Sequence, residues 1–213
     1  SGPLDQYLTN IAWSPDEKKI YIAIVNREQN HMWLNEYDAT TGDFVKTLFE
    51  ESDARYIEPL NPMLFVKNNP TQFIWQSRRD GYNHFYLYGT DGKLIKQLTK
   101  GNWEVKAENG FDEKGEHLFF TANEQSPVNQ DLYTINIKSG KMKRLTEGNG
   151  FHNAVVSKKG DYVIDAFSSC YTPGEYRVVN TTSGKSQLFY KAENPIKEYK
   201  TGSWRLFTIK NNA

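Results

Sequence analysis

One sequence unit recurs four times along this 213-residue chain, and that repetition constrains the fold more than any other feature. Each unit contains an apolar strand, a second strand, a glycine-centred turn and a third strand. The turn glycines are Gly42, Gly92, Gly140 and Gly184, which lie 50, 48 and 44 residues apart. A period of roughly 40 to 50 residues is typical of the four-stranded blades of a β-propeller.

The strands of each unit differ in pattern. The apolar strands that open the units are nearly continuous, which favours a sheet covered on both faces, and they are residues 19–24, 72–75, 117–121 and 161–164. The strands before two of the glycine turns alternate with period two. Because no stretch has a sustained helical stripe, we predict an all-β β-propeller of about four four-stranded blades. The blades are expected at about residues 8–55, 56–105, 106–152 and 153–195.

The number of blades leaves two architectures open. Propellers have roughly four to eight blades, so four could close into a ring or could be an arc of a larger propeller. An arc has unpaired edges that invite association. We therefore expect the isolated chain to self-associate if it is an arc, and to be a monomer if the ring closes.

Composition excludes several function classes. The 26 basic and 26 acidic residues balance and are scattered, which argues against a nucleic-acid partner. Aromatic residues make up 14% of the chain, as expected for pleated, half-buried surfaces. The single cysteine, Cys170, has no His nearby in sequence, so we interpret it as a buried, inert thiol.

Several segments resemble the propeller domain of the dipeptidyl peptidase IV family, within the prolyl oligopeptidase class of serine peptidases. The most specific is 73–88, which reads Phe-Ile-Trp-Gln-Ser-Arg-Arg-Asp-Gly-Tyr-Asn-His-Phe-Tyr-Leu-Tyr. It is preceded by Trp-Ser-Pro-Asp at 13–16 and followed by Leu-Thr-Lys-Gly-Asn-Trp-Glu-Val at 98–105 and Phe-Phe-Thr-Ala-Asn-Glu-Gln-Ser-Pro at 119–127. These segments occur in the family's order over roughly residues 8–195.

The resemblance implies that this chain is the second half of an eight-bladed propeller. Its partners would be an α/β-hydrolase domain of the same chain, which the propeller covers, and a peptide substrate. The parent would be an enzyme that releases N-terminal dipeptides, typically after proline or alanine, in the periplasm or cell envelope of a bacterium. Residues 1–202 would be the propeller segment, and 203–213 the strand leading toward the hydrolase domain. The segment would shape access to the active site.

This chain is expected to have no catalytic residues of its own. The serine nucleophile of such hydrolases lies in a Gly-x-Ser-x-Gly elbow, and the sequence contains none. Gly202 and Ser203 are followed by no second glycine at the required place, so we interpret Ser203 as a loop serine.

Two acidic segments are candidates for contact with substrate. The family anchors the substrate's amine with an adjacent glutamate pair, but Glu50 and Glu51 lie downstream of that position, so we interpret them as solvated surface acids. The segment 55–62 matches a stretch that lines the pocket in some family members. We interpret it mainly as a connector between blades, and as a candidate substrate-pocket wall formed by Tyr56, Ile57 and Glu58. As a wall, Glu58 could attract a cationic amine, and Tyr56 could pack against an apolar side chain.

Other candidates have structural interpretations. Residues 78–81 predict a charged hairpin tip, and His84, among aromatic neighbours, predicts a hydrogen-bonded structural histidine. No His, Cys or Asp spacing matches a zinc or calcium site, and no glycine-rich loop matches a phosphate site, so we expect no metal and no cofactor.

Two alternative functions remain open from the sequence. One is a free-standing propeller that acts as a binding or scaffold module of the bacterial envelope. The other is a propeller enzyme with an acid and a base in its central channel, such as a glycosidase, for which no carboxylate pair can be identified.

Overall fold

Among residues 5–203, 205 and 207–211, which a computed structural model of the chain describes, the regular secondary structure consists of β-strands. These residues form sixteen strands in four sheets of four strands, and in each sheet consecutive strands are antiparallel neighbours. The predicted all-β propeller architecture is therefore confirmed. Within these ranges no helix has the length and apolar character needed to cross a bilayer.

The sheets follow one another along the chain. Sheet 1 contains β1 (Gln6–Trp13), β2 (Lys19–Asn26), β3 (His31–Asp38) and β4 (Phe44–Ser52). Sheet 2 contains β5 (Leu64–Val66), β6 (Asn69–Ser77), β7 (His84–Gly89) and β8 (Leu94–Gln97). Sheet 3 contains β9 (Val105–Phe111), β10 (His117–Ala122), β11 (Asp131–Asn136) and β12 (Met142–Arg144). Sheet 4 contains β13 (Phe151–Val156), β14 (Tyr162–Ser168), β15 (Glu175–Asn180) and β16 (Ser186–Lys191).

The hydrophobic core lies between successive sheets. Buried clusters join sheet 1 to sheet 2, sheet 2 to sheet 3, and sheet 3 to sheet 4. In the middle cluster Phe85 and Phe120 meet edge to face with centroids 5.3 Å apart. Burying a large apolar side chain contributes about 1.5–3 kcal/mol, so the packing of one sheet on the next stabilises the fold.

The burial of β6 and β14 shows how a sheet's position determines the exposure of its strands. In β6, Phe73 and Ile74 are both almost fully buried because sheet 2 has a neighbour on each face. In β14, Val163 is buried at 1% exposure, whereas Ile164 is 47% exposed. Sheet 4 therefore has one covered face and one open face.

Sheet 1 is open on its outer face in the same way. Leu8 and Trp13 on β1 are 61% and 55% exposed, although they lie opposite Ile24 and Ile20 of β2 on that face. The two end faces of the four-sheet array are therefore uncovered, as in an arc of blades.

The turn glycines behave as the repeat predicts. Gly42, Gly92, Gly140 and Gly184 all have positive φ, between 74° and 88°. They lie in connections of four or five residues between the third and fourth strands of each sheet, rather than in two-residue turns. A side chain of the preceding strand stabilises the turn, since Asp38 Oδ1 accepts hydrogen bonds from the backbone of Thr40 and Thr41.

A lysine on the last strand of each of the first three sheets crosses to the next sheet. Lys46 Nζ donates to Thr90 O at 3.0 Å, and Lys96 Nζ donates to Lys138 O at 2.7 Å. Lys143 Nζ donates to two carbonyl oxygens of sheet 4. The lysines stand two residues before the buried leucines Leu48, Leu98 and Leu145. Repeated lysine-to-carbonyl hydrogen bonds thus join each of the first three sheets to the next sheet, at the connection between its third and fourth strands.

Candidate functional site

A cavity of about 360 Å³ lies where the ends of β4 and β6 meet the connection 53–63 between sheets 1 and 2. Tyr56, Ile57 and Glu58, the three predicted wall residues, all line it. Residues 75–79, within the segment that most resembles the family, also line it. The structure thus brings together two candidate regions, and the binding of substrate in this cavity stays a prediction.

Each of the three wall residues has a different environment. Ile57 N donates to Gln29 O, and its side chain packs against the cluster between sheets 1 and 2. Tyr56 is 58% exposed, and Glu58 is exposed without an ion-pair partner among the described residues. Ile57 therefore anchors the segment, and Tyr56 and Glu58 remain free to contact a ligand.

Glu51 is not a solvated surface acid, so that interpretation was wrong. Its side chain is 12% exposed, and it accepts hydrogen bonds from Trp75 Nε1 at 3.0 Å and from Ser77 Oγ at 2.7 Å. It also pairs with the guanidinium of Arg79. These donors lie on sheet 2 or just after β6, so Glu51 connects two sheets across the floor of the cavity.

Glu50 fits the surface interpretation better, although it has a partner. Its side chain is 52% exposed and lies 2.7 Å from His31 Nε2. The His31 ring stacks on Trp33 with centroids 4.1 Å apart. Adjacent glutamates alternate in direction along β4, so only Glu51 reaches sheet 2.

Arg79 lies in the hairpin connection between β6 and β7, as the sequence predicts, and its guanidinium is held in place there. Its guanidinium donates to Tyr88 Oη at 2.7 Å and lies 4.3 Å from the centroid of the Tyr86 ring. Burial alone would lower the pKa of Arg79, but the negative charge of Glu51 and the Tyr88 hydroxyl keep that pKa above its usual value. Arg79 therefore stays charged and fixes the position of Glu51.

Trp75, Ser77 and Arg79 were not identified as partners of Glu51 from the sequence. They stand at alternate positions, which places them on one side of an extended segment. Hydrogen-bond donors at alternate positions toward the end of a strand are the signal that could have identified them.

His84 is the structural histidine that the sequence predicts. It is fully buried, with Nδ1 3.1 Å from Thr99 Oγ1 and Nε2 3.0 Å from Gly101 O. Thr99 Oγ1 also accepts from the backbone N of Phe85. The repeated Leu-Thr-x-Gly segment therefore stabilises the start of the third strand.

A second buried polar cluster, between sheets 3 and 4, was missed. His152 Nδ1 lies 2.9 Å from Asp165 Oδ2, and His152 Nε2 lies 3.7 Å from Asp131 Oδ1. Asp131 in turn accepts hydrogen bonds from Arg144 Nε at 2.9 Å and Thr146 Oγ1 at 3.0 Å. The repeat of Leu-Thr-x-Gly at Thr146 was a signal for part of this cluster.

Cys170 and Ser203 complete the predicted candidates. Cys170 is exposed, contrary to the predicted burial, because it lies in the connection after β14 ends at Ser168. Ser203 is an exposed residue outside any strand, as expected of a loop serine. In the predicted final strand, Trp204 lies outside the described residues, and residues 207–211 have no strand structure. In the part of the chain that the structure describes, no three His, Cys, Asp or Glu residues are grouped to hold a metal.

The cavity has the chemistry of a binding site. Its floor is preorganised by the Glu51–Arg79 pair, and its rim presents the phenol of Tyr56 and the carboxylate of Glu58, which has no ion-pair partner within the described residues. An apolar group could contact the ring, and a cation could pair with the carboxylate.

Comparison of sequences identifies relatives of the chain. Residues 2–174 match the family model of the dipeptidyl peptidase IV (DPP IV) N-terminal region. The chain is 25% identical over 207 residues to a probable dipeptidyl-aminopeptidase B of Talaromyces marneffei, covering 91% of this chain and 22% of that protein. It is 26% identical over 204 residues to dipeptidyl peptidase 4 of Trichophyton equinum, covering 92% of this chain and 24% of that protein. The chain thus spans about a quarter or less of these relatives' length.

Solved structures show the same similarity. A structure described as a dipeptidyl aminopeptidase IV from Bacteroides ovatus superposes with a TM-score of 0.86 and 37% identity, covering 93% of this chain and 31% of that one. Porphyromonas gingivalis dipeptidyl peptidase 4 superposes with a TM-score of 0.77 and 26% identity, covering 90% and 27%. With the family model matched over most of its length, this four-sheet chain belongs to the family of dipeptidyl peptidase IV N-terminal regions.

Proposed function

We propose that the chain is the propeller portion of a serine dipeptidyl aminopeptidase, in which it shapes access to the active site and performs no catalysis itself. The parent enzyme would release N-terminal dipeptides, typically after proline or alanine. Residues 1–202 form the propeller segment in this proposal, and 203–213 lead toward an α/β-hydrolase domain of the same chain.

The cavity between sheets 1 and 2 is the observation that carries this proposal. Tyr56, Ile57 and Glu58 line it together with residues 75–79, which belong to the segment most similar to the family. In the proposal Glu58 attracts the cationic amine of the peptide substrate and Tyr56 contacts an apolar side chain. The Glu51–Arg79 pair supports both by fixing the floor.

The lack of a nucleophile elbow supports a non-catalytic role for this portion. Nucleophilic hydrolysis by this class needs an exposed serine beside a histidine on a sharp strand-to-helix turn. The sequence has no Gly-x-Ser-x-Gly. A hydrolase domain elsewhere in the parent would supply these groups, and a propeller around it would exclude water and bulky folded substrates.

The open faces of sheets 1 and 4 support a place in a larger propeller. Leu8 and Trp13 at one end, and Ile164 at the other, are large apolar residues left exposed. Four further blades would cover them in the proposed parent. In the isolated chain we propose that the same faces drive self-association, which light scattering would detect as a mass that rises with concentration.

Two measurements test the proposed function. The isolated chain should not hydrolyse Gly-Pro-p-nitroanilide, and turnover that a serine-directed organophosphonate inhibits would contradict the non-catalytic role. In the parent enzyme, Glu58→Gln should raise KM for this substrate several-fold with little change in kcat. The matched control is Glu147→Gln, which removes an exposed carboxylate far along the chain in sheet 3's Leu-Thr-x-Gly segment. Equal KM values for both variants would contradict the role of Glu58.

A further inference from the structure

We propose that a groove between sheets 2 and 3, at the opposite end of β6 from the cavity, binds acidic peptide segments. The groove has a volume of about 460 Å³ and is lined by Asn69 and Gln72, near the start of β6. The cavity is lined by Trp75, Gln76 and Ser77, at the end of the same strand. The two sites are thus separate, and the inference does not depend on the proposed peptidase function.

The groove carries a positive charge, which favours an acidic ligand. Its lining contains four lysines, Lys67, Lys96, Lys114 and Lys138, and a single acid, Glu116. The formal charge of the lining is therefore positive, although the basic and acidic residues of the whole chain balance. A concave site lined with one sign of charge concentrates ligands of the opposite sign.

These lysines also lack carboxylate partners within the described part of the chain. Over the described ranges, none of the four lysines forms an ion pair with a carboxylate. Lys96 Nζ donates instead to Lys138 O at 2.7 Å. This hydrogen bond holds the ammonium group of Lys96 at the groove.

The arginines that line the cavity at the other end behave differently. Arg55, Arg78 and Arg79 all pair with carboxylates of the chain. Positive charge is therefore neutralised internally at the cavity and left available at the groove.

The uncharged residues of the lining favour an acidic peptide over a nucleic acid. Val66, Leu87 and Ile137 are buried apolar residues of the lining, and Ile95 is 48% exposed. The groove therefore offers apolar contact next to positive charge. Its lining includes no aromatic side chain on which a nucleic-acid base could stack.

Gln72 adds directional recognition. Its side-chain amide makes no hydrogen bond to the residues that the structure describes, and it lines the groove. An amide can donate to a peptide carbonyl and accept from a peptide N–H. An extended segment with acidic side chains, a leucine-like side chain and a free backbone matches the lysines, the apolar floor and the amide together.

The test is binding of a labelled peptide to the intact chain, followed by fluorescence anisotropy. The probe is fluorescein-labelled Glu-Leu-Glu-Glu-Leu-Glu-amide, compared with Lys-Leu-Lys-Lys-Leu-Lys-amide. We expect saturable binding of the acidic peptide only. Binding should weaken several-fold in 0.5 M salt, at a Debye length of roughly 4 Å. Equal binding of the basic peptide, or no binding, would overturn the proposal.

Three lysine variants locate the site. Lys67→Gln, Lys114→Gln and Lys138→Gln should each weaken binding by roughly two- to fivefold, as expected for partly solvated ion pairs. The matched control is Lys100→Gln, an exposed lysine that lines neither the groove nor the cavity, and it should bind normally. Lys114 and Lys138 are exposed and Lys67 is half-buried, and far-UV circular dichroism checks that all three variants keep the fold. Unchanged binding in all three variants would refute the location.

Inorganic phosphate distinguishes a peptide site from a small-anion site. At matched ionic strength, phosphate should compete only weakly because it gains nothing from the apolar floor. Full displacement of the peptide by low phosphate concentrations, with equal affinity for a peptide in which both leucines are replaced by glycine, would show a small-anion site and overturn the assignment to peptides.

Discussion

The carboxylate of Glu51 at the end of β4 accepts a hydrogen bond from the indole nitrogen of Trp75 on β6 at 3.0 Å, which joins two adjacent propeller sheets. The same carboxylate pairs with Arg79, so one acid on sheet 1 positions three groups of sheet 2. The floor of the cavity is therefore built from contacts that join the two sheets.

Loss of this carboxylate charge should destabilise the fold. In Glu51→Gln the amide oxygen can still accept from Trp75, but the guanidinium of Arg79 loses its counter-charge while only 30% exposed. We expect a loss of about 1–2 kcal/mol in the free energy of unfolding, less than for a fully buried pair. Urea denaturation measures it, and Glu50→Gln, at an exposed pair, should cost at most about 0.5 kcal/mol. Equal losses in the two variants would contradict the role of Glu51.

Gly92 should tolerate a side chain less well than the equivalent Gly42. Both have positive φ, 88° and 77°, so alanine causes backbone strain of about 1 kcal/mol at each. At Gly92 the added Cβ would also lie 2.1 Å from Leu48 O of the neighbouring sheet, whereas at Gly42 nothing lies within 4 Å. We expect Gly92→Ala to lower the urea midpoint clearly more than Gly42→Ala. Equal midpoints would show that the sheets can separate at this turn without cost.

Asp112 should make stability depend on acid pH. Burial raises the pKa of this carboxyl, but hydrogen bonds from the His117 ring and from the backbone of Glu116 and His117 outweigh burial and hold the pKa below its usual value. Because the folded-state pKa is lowered, the contribution to stability is present above about pH 4 and is lost as the pH falls through the lowered value.

The variant Asp112→Asn should therefore be less stable than the native chain at pH 7, and the difference should shrink below about pH 4. Thermal melts across this range measure it. The control Asp43→Asn changes an exposed carboxylate that makes no ion pair within the described residues. A difference between Asp112→Asn and the native chain that stays constant with pH would disprove the linkage.

Lys143 should stabilise sheet 4 in particular. Its Nζ donates to Thr181 O at 3.0 Å and Thr182 O at 3.1 Å, between sheets 3 and 4. Lys143→Met keeps the apolar stem and removes these bonds, at a cost of roughly 0.5–1.5 kcal/mol. Because sheet 4 has a single neighbouring sheet, we expect faster amide hydrogen exchange in β15 and β16 and unchanged exchange in sheet 2. Lys158→Met, at an exposed lysine, is the control, and uniform acceleration in all sheets would contradict a local role.

Much of the fold was predictable because its signals are local. Recurring turn glycines, continuous apolar strands and strands that alternate with period two depend only on neighbours in sequence, so they indicate strands, turns and blades directly. The interpretation of His84 was predictable for the same reason, since an isolated histidine within an aromatic strand must find hydrogen-bond partners when buried. The wall segment with Tyr56, Ile57 and Glu58 was identified through resemblance rather than from its pattern.

The sequence by itself determined the class of fold, the repeat and the family, all of which follow from local periodicity and ordered motifs. The tertiary structure alone decided that Glu51 is a partly buried link rather than a surface acid, that Cys170 is exposed, and that four lysines line one groove. Partners such as Glu51, on β4 of sheet 1, and Arg79, just after β6 of sheet 2, are 28 residues apart. Their contact depends on how one twisted sheet packs against the next, and period-two patterning specifies which face a side chain occupies but not what lies across from it.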